Sequence, residues 1–427
     1  MSTLLIKNAR VINPALSQDF TGYVYIDGEK ISSMGEGKCG LEADTVIDAA
    51  GLVCSPGFVD MHVHLRDPGL TYKEDIITGC NAAAAGGVTS LLCMPNTKPA
   101  VDSPEVVEYI LEKAKSAKAR VYVTGAVTKG LGGFELTDID ALHEAGAIAL
   151  SDDGRPVVDT SCLVAAMKKA SELGMTLTCH CEDLYLAKQW TMNEGKVSGE
   201  LGLRGVPNAA EDSGTAREIA VAAAYGLPVH ICHVSTKGAC ALIRDAQRRG
   251  VKVTGETAAH YLLLTDKELE RRDADYRMNP PLRTEKDRRA IIEAIKDGTL
   301  SCIITDHAPH SVEEKSDFVK APNGSIGMET SFSGSYTALV RTGEISINKL
   351  IELMSVNPAK ILGIEAGVLD VGKTADIALV DPDEEWVVDA EKLHGKSRNA
   401  VLKNMKLTSK VKYTILGGRI VYDDSKN

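Results

Sequence analysis

Four histidines and two aspartates stand where short β-like runs of this chain end, and their donor atoms suit a divalent cation. The run Asp60-Met61-His62-Val63-His64-Leu65-Arg66 sets two imidazoles two residues apart. Side chains alternate across an extended strand, so His62 and His64 share a face, with Asp60 below them. Two imidazoles on one face make a clamp for zinc or a similar ion. The same parity groups Thr176 and Thr178 with His180, Val229 and Ile231 with His233, and Ile304 with Asp306, while His307 turns away. After Ser151, continued alternation favours Asp153 over Asp152. Together these six residues offer enough nitrogen and oxygen donors for one or two Zn²⁺ ions. Of the other histidines, His143 in a helical run and His394 in a loop read as surface residues. His230, of the wrong parity, reads as an outward packing residue, and His260 stays open between a supporting and a structural role.

Such residues need a scaffold that gathers strand ends. Eight candidate strands run over 57–63, 88–94, 120–127, 147–150, 176–181, 228–234, 251–257 and 302–307. Helical patterns fall between them, at 104–118, 137–145, 161–173, 212–225, 237–249 and 284–296. Short strands alternating with helices predict a parallel sheet with crossover helices, and eight units over about 300 residues predict a (β/α)8 TIM barrel. Chemistry in that fold collects at the C-terminal ends of the strands, where all six candidates lie. The chain before residue 57 reads as hairpin-rich β-structure with an Asp27-Gly28 turn, and Asp376 to Val380 and Tyr413 to Leu416 return to β-like runs. The expected organisation is an α/β barrel over 57–364, with 1–56 and 365–427 combining in one small β-sandwich domain.

The 427 residues carry 48 Lys+Arg against 59 Asp+Glu, a net charge of −11, with an apolar share of 44 %. That composition predicts a compact chain and lacks the basic footprint of a nucleic-acid or anionic-membrane binder. No apolar run approaches a membrane span, and Lys7 and Arg10 interrupt any signal-peptide core. Ten cysteines without a Cys-x-x-Cys pair read as free, mostly buried thiols, so the expected location is the cytoplasm. An anionic substrate would be repelled by the global charge and would need a local cation. Arg66, two residues past His64, offers a guanidinium fork suited to a carboxylate.

The stretch Pro56 to Arg66 resembles the opening motif of the amidohydrolase superfamily, and more narrowly of the dihydroorotases. Further matches follow in order: Met94-Pro95-Asn96-Thr97, Ser151-Asp152-Asp153-Gly154, His180-Cys181-Glu182-Asp183, Cys232-His233-Val234-Ser235-Thr236, Met278 to Arg283 and Thr305-Asp306-His307-Ala308-Pro309-His310. The resemblance runs through nearly the whole chain. It implies that His62, His64, His180, His233 and Asp306 hold the metal, with Asp153 bridging, as in the class that uses an aspartate there. Related hydantoinases and some dihydroorotases bridge with a carboxylated lysine, but no lysine occurs between Lys129 and Lys168. The segment Glu256 to Tyr261 departs from the usual family version, which has a proline and a second histidine.

The implied reaction is the reversible cyclisation of N-carbamoyl-L-aspartate to L-dihydroorotate in pyrimidine synthesis. An amide is a poor electrophile, so the metal is expected to polarise its carbonyl and to acidify a bound water that attacks as hydroxide. Asp306 is expected to act as general base and then general acid. The likeness adds Asn96 and His310 to Arg66 as the substrate-carboxylate set, and Asn279 as the partner of the ring or carbamoyl amide. The stretch Ser311 to Gly324 reads as a loop over the barrel mouth that closes on substrate. A homodimer is expected, with room for association with another pyrimidine-pathway enzyme. The competing readings are another cyclic amidase, an allantoinase or hydantoinase, and a non-catalytic dihydroorotase-like partner of a pathway enzyme.

Overall fold

A computed structural model describes residues 2–188 and 190–426. In chain order its strands are β1 (Thr3–Asn13), β2 (Gln18–Asp27), β3 (Lys30–Glu36), β4 (Thr45–Asp48), β5 (Val53–Pro56), β6 (Phe58–Val63), β7 (Val88–Cys93), β8 (Arg120–Ala126), β9 (Ala147–Ser151), β10 (Thr176–Cys179), β11 (Met192–Asn193), β12 (Gly205–Val206), β13 (Val229–Ile231), β14 (Val253–Ala258), β15 (Cys302–Ile304), β16 (Ile377–Val387), β17 (Lys406–Leu416) and β18 (Arg419–Asp423).

Strands β6 to β10 and β13 to β15 form one parallel sheet in chain order. The first and last of these meet where Val63 bridges His307 and the His64 amide donates to the His307 carbonyl at 2.8 Å, so the sheet curls into a nearly closed barrel. All eight expected strands are present, several ending one to three residues earlier than their apolar patterns. Both faces of such a sheet are covered, which is why β7 reads Val-Thr-Ser-Leu-Leu-Cys with every residue buried. The expected helices appear at Pro104–Ala114, Ile139–Glu144, Thr160–Leu173, Asn208–Tyr225, Lys237–Arg248 and Glu285–Lys296. A further helix, Ile76–Ala85, has no amphipathic stripe because it is apolar nearly all round. Asp75 starts it by accepting from the amides of Ile77 and Thr78 at 3.0 and 2.9 Å.

The two ends of the chain meet as the β-rhythm predicts. Strands β1 to β5 and β16 to β18 make a mixed eight-stranded sheet in which β5, the last strand before the barrel, pairs antiparallel with β16 and parallel with β1. Ile6, Val11, Val24, Ile26, Ile377 and Ile415 close a core of their own inside it. The outer face of β16 and β17 continues the barrel core through Ala378, Val380, Leu407 and Val411. At the same junction Arg120, on β8, grips Asp376 through two hydrogen bonds of 3.1 and 3.2 Å. Of the ten free cysteines eight are buried and Cys39 and Cys162 are half-buried. Among the described residues no helix is long and apolar enough to cross a membrane.

Candidate metal centre and active site

Strand parity delivers His62 into the barrel mouth, but the residues that face it lie mostly just past the strands. β10 ends before His180, β13 before His233 and β15 before Asp306. His233 and Asp306 take left-handed backbone angles, φ 33° and 48°, and so do not obey simple alternation. Asp153 follows β9, and Gly154 at φ +73° turns the chain back immediately after it, in a conformation that suits glycine. Asp152 goes the other way: it accepts the Thr128 amide at 3.0 Å and the Thr128 hydroxyl.

All six predicted ligands converge. His62, His64 and Asp153 form one group whose donor atoms lie within 4.8 Å of one another, and Asp153, His180 and His233 form a second. Asp153 belongs to both: its Oδ1 lies 3.2 Å from His62 Nε2 and 3.5 Å from His233 Nε2, and its Oδ2 lies 3.5 Å from His64 Nε2. Asp306 joins the first group, with Oδ1 3.0 Å from His64 Nε2 and 3.7 Å from His62 Nε2. His62 Nε2 and Asp153 Oδ1 are buried and find no hydrogen bond, which is costly unless something else satisfies them. This donor set fits a divalent cation, and two ions sharing Asp153 would use every member. Burial opposes charge on His62, yet the Asp153 carboxylate beside it holds its imidazole well above the ordinary histidine range. Asp153 in turn sits well below the usual carboxylate range despite its burial, because His62 and His233 face it.

The substrate-side candidates cluster at one edge of this centre. Arg66, only 8 % exposed, donates from Nε to the Pro309 carbonyl at 3.2 Å and lies 3.4 Å from His310. Burial pushes its guanidinium down to about 10, which leaves it cationic at neutral pH, and among the described residues it makes no ion pair. Its backbone is left-handed at φ 61°, so the turn after β6, rather than strand parity with His64, aims it. His310 Nδ1 accepts from Lys73 Nζ at 3.2 Å and Nε2 faces the Asn323 carbonyl at 2.9 Å. Burial and the neighbouring Arg66 and Lys73 charges hold His310 far below its ordinary value, hence neutral. Asn96 turns toward the centre itself, with Oδ1 2.8 Å from His64 Nδ1 and its amide donating to Asp153 at 3.3 Å. Asn279 donates to Glu182 at 3.4 Å and lies 3.4 Å from His180. The 311–324 segment is docked over this edge: Lys73 pairs with Glu314 at 2.9 Å, Tyr72 donates to Glu314 at 2.8 Å, and Lys315 donates to the Ala274 and Pro322 carbonyls.

Residues 51–239 match the dihydro-orotase-like family and residues 277–422 the amidohydrolase family. The chain is 47 % identical to the dihydroorotase of Geobacter sp. (strain M21) over 98 % of its own length and 99 % of that protein, and 44 % identical to the dihydroorotase of Acetivibrio thermocellus over 98 % of both. The chain belongs to the dihydroorotase family. Among solved structures it is similar to the L-hydantoinase (dihydropyrimidinase) of Arthrobacter aurescens, with a TM-score of 0.88, 25 % identity and coverage of 99 % and 96 % of the two chains. It is also similar to the dihydropyrimidinase of Brevibacillus agri, at 0.86, 28 %, 99 % and 95 %.

Within this dihydroorotase-family site the structure also brings in residues that sequence reasoning missed. Glu256, read only as part of a segment departing from the family pattern, is fully buried with Oε1 2.9 Å from His62 Nδ1. His230 is not an outward packing residue: its Nε2 lies 3.1 Å from the other Glu256 oxygen and its Nδ1 2.7 Å from Thr254 Oγ1. On β13 it stands beside Thr254, on the face of the barrel wall that carries Glu256, where a buried imidazole needs a partner. Glu182 lies 3.4 Å from His180 Nε2. His260 is buried with Nε2 unpaired, and burial pushes it down to about 4. His143 is exposed as expected, whereas His394 is half-buried against Glu329 at 2.7 Å. Asp60 accepts the Thr305 amide and hydroxyl at 3.1 and 2.5 Å, which braces the residue before Asp306.

Proposed function

We propose that this chain is a dihydroorotase that interconverts N-carbamoyl-L-aspartate and L-dihydroorotate, with zinc as its metal and His62, His64, Asp153, His180, His233 and Asp306 as ligands. The observation that carries the reading is Arg66: a buried guanidinium that has no ion pair among the described residues, beside a His/Asp cluster, fits a substrate that is both a cyclic amide and a carboxylate. Allantoin and hydantoin have no carboxylate for it. The structural kinship with hydantoinases concerns the shared barrel and metal chemistry, and the aspartate at the centre of this cluster, in a stretch with no lysine, supports the separate branch.

A bound divalent ion supplies polarisation of the amide carbonyl and a lowered pKa for water. The remaining work belongs to side chains. Asp306 Oδ accepts the proton of the attacking water; as the ring C–N bond breaks, Asp306 returns that proton to the departing nitrogen, and cyclisation runs the same transfers in reverse. The imidazoles of His64 and His62 hold Asp306 below the usual carboxylate range against the effect of burial, so it starts as the base. Arg66 pairs with the substrate carboxylate, the Asn96 amide donates beside it, His310 lines the same edge, and Asn279 orients the amide edge. The reading places the barrel at 57–364 and the flanking sheet at 1–56 and 365–427, and it places the enzyme in the cytoplasm, for which the free thiols argue.

The test is turnover of dihydroorotate, hydantoin and allantoin by the metal-loaded protein, with Asp306→Ala as control. Dihydroorotate is expected to be preferred and the variant inactive. Preference for allantoin or hydantoin, or undiminished turnover by the variant, sinks the proposal.

A further inference from the structure

Behind the metal centre lies a chain of buried polar contacts that none of the six ligands explains. Glu256, within β14, is enclosed in the barrel wall between β13 and β15. One of its oxygens faces His62 Nδ1 at 2.9 Å; the other faces His230 Nε2 at 3.1 Å; His230 Nδ1 meets Thr254 Oγ1, two residues before Glu256, at 2.7 Å. His230 is a strand neighbour of Thr254 in the register between β13 and β14, so the contacts close on themselves across two adjacent strands.

A buried carboxylate exposed to no water is costly unless both oxygens are satisfied. Here one oxygen is hydrogen-bonded to the His62 imidazole, and the other has the His230 imidazole at an ion-pair distance of 3.1 Å without hydrogen-bond alignment. A carboxylate can only accept, so His62 Nδ1 must carry a hydrogen, and in the neutral ring that binds a metal this puts the lone pair on Nε2, the nitrogen that faces Asp153. The free ring would otherwise divide its hydrogen between two nitrogens and rotate about its terminal torsion.

We propose that Glu256 is a positioning residue that fixes the tautomer and ring orientation of His62 for metal binding, and that His230 acts only through Glu256 by holding its second oxygen. The inference rests on the reading of His62 as a metal ligand. Loss of such an outer partner costs about 10- to 100-fold in metal affinity. Glu256→Gln keeps the shape but offers an amide N–H toward one of the two imidazoles, so it cannot serve both.

The experiment measures Zn²⁺ affinity by competition with a chromophoric chelator, and the visible absorption of the Co²⁺-loaded protein, for wild type, Glu256→Gln, His230→Asn, the double variant and His62→Ala. Asp376→Asn, at a buried carboxylate held by Arg120 where the barrel meets the terminal sheet, controls for simple loss of a buried charge. Expected are a 10- to 100-fold weaker Zn²⁺ affinity and a shifted Co²⁺ spectrum in Glu256→Gln at unchanged metal stoichiometry. His230→Asn should show a smaller loss in the same direction, and the double variant should be no worse than Glu256→Gln alone. Wild-type affinity and spectrum in Glu256→Gln overturn the proposal. So do additive losses in the double variant, an equal loss in Asp376→Asn, or the disappearance of a whole metal equivalent in Glu256→Gln, which would make Glu256 a ligand. If His62→Ala itself binds metal as wild type does, the ligand reading beneath the proposal has failed instead. A Glu256→Gln chain that does not fold leaves His230→Asn to decide, through the same spectrum.

Discussion

Asp306 Oδ1 lies 3.0 Å from His64 Nε2, although the two residues are 242 positions apart and stand just past the ends of the last and first strands of the barrel. The contact joins the seam where the barrel closes to the group proposed to carry the proton. Asp306→Asn keeps the shape and removes the base. We expect kcat to fall about 10²- to 10⁴-fold, the range general acid–base groups contribute. Steady-state kinetics on metal-replete protein check this, and a variant within threefold of wild type rules Asp306 out as the base.

Arg66 should act on binding. Replacing it with Met removes a charge-assisted pair worth about 1.5–3 kcal/mol, or roughly 10- to 100-fold in KM for dihydroorotate, with a smaller change in kcat. Any residual turnover of hydantoin, which has no carboxylate, should be unaffected. An equal loss on both substrates would place Arg66 in scaffolding.

Metal uptake should stabilise the fold. Removal with a chelator is expected to lower the melting temperature, and restoring Zn²⁺ to about 100 times its Kd should return about 2.7 kcal/mol. Because His62, His64, His180 and His233 must be neutral to coordinate, uptake releases protons and weakens as pH falls below the imidazole range. Calorimetry in buffers of different ionisation enthalpy reads the proton count directly. Buffer-independent heats would contradict the assigned ligands.

Asp152 makes a different pH prediction. Burial lifts its carboxyl to about 6 although the Thr128 donors pull the other way. A carboxyl with a folded pKa above its unfolded value near 3.8 favours the fold fully below that value, and the contribution is lost as pH rises through about 6. The swing is on the order of 2–3 kcal/mol. Asp152→Asn should therefore gain stability relative to wild type between pH 4.5 and 7.5, as read from urea midpoints. A difference that stays constant across that range argues against the shift.

Gly324 is the last of the five. At φ +138° it takes a conformation rare for other residues, and a Cβ there would meet Ala308 Cβ at 2.7 Å and His310 Nε2 at 3.1 Å. Gly324→Ala should cost about 1–3 kcal/mol of local strain and displace the loop that holds His310. A raised KM with faster proteolysis between 311 and 324 is the expected result; unchanged values for both would mean that His310 does not depend on this contact.

Several parts of this protein follow from local chemistry alone. Apolar runs of strand length alternating with helical stripes are imposed by backbone geometry, so the eight strands and the six helices of the barrel were legible along the chain. The β-character of both ends was legible for the same reason, and so were His62, His180 and Asp153, where parity holds to the strand end or close to it. Tertiary structure decided what depends on several strands at once. The left-handed angles of Arg66, His233 and Asp306 arise because each chain segment must leave the barrel rim at a turn, and alternation says nothing past that point. The pairing of β5 with β16 joins residues more than 300 positions apart, which no local pattern encodes. The Glu256–His230 contact is of the same kind: a carboxylate and an imidazole on neighbouring strands look unremarkable in a sequence, and only the wall of the barrel, by excluding water from both, makes each require the other.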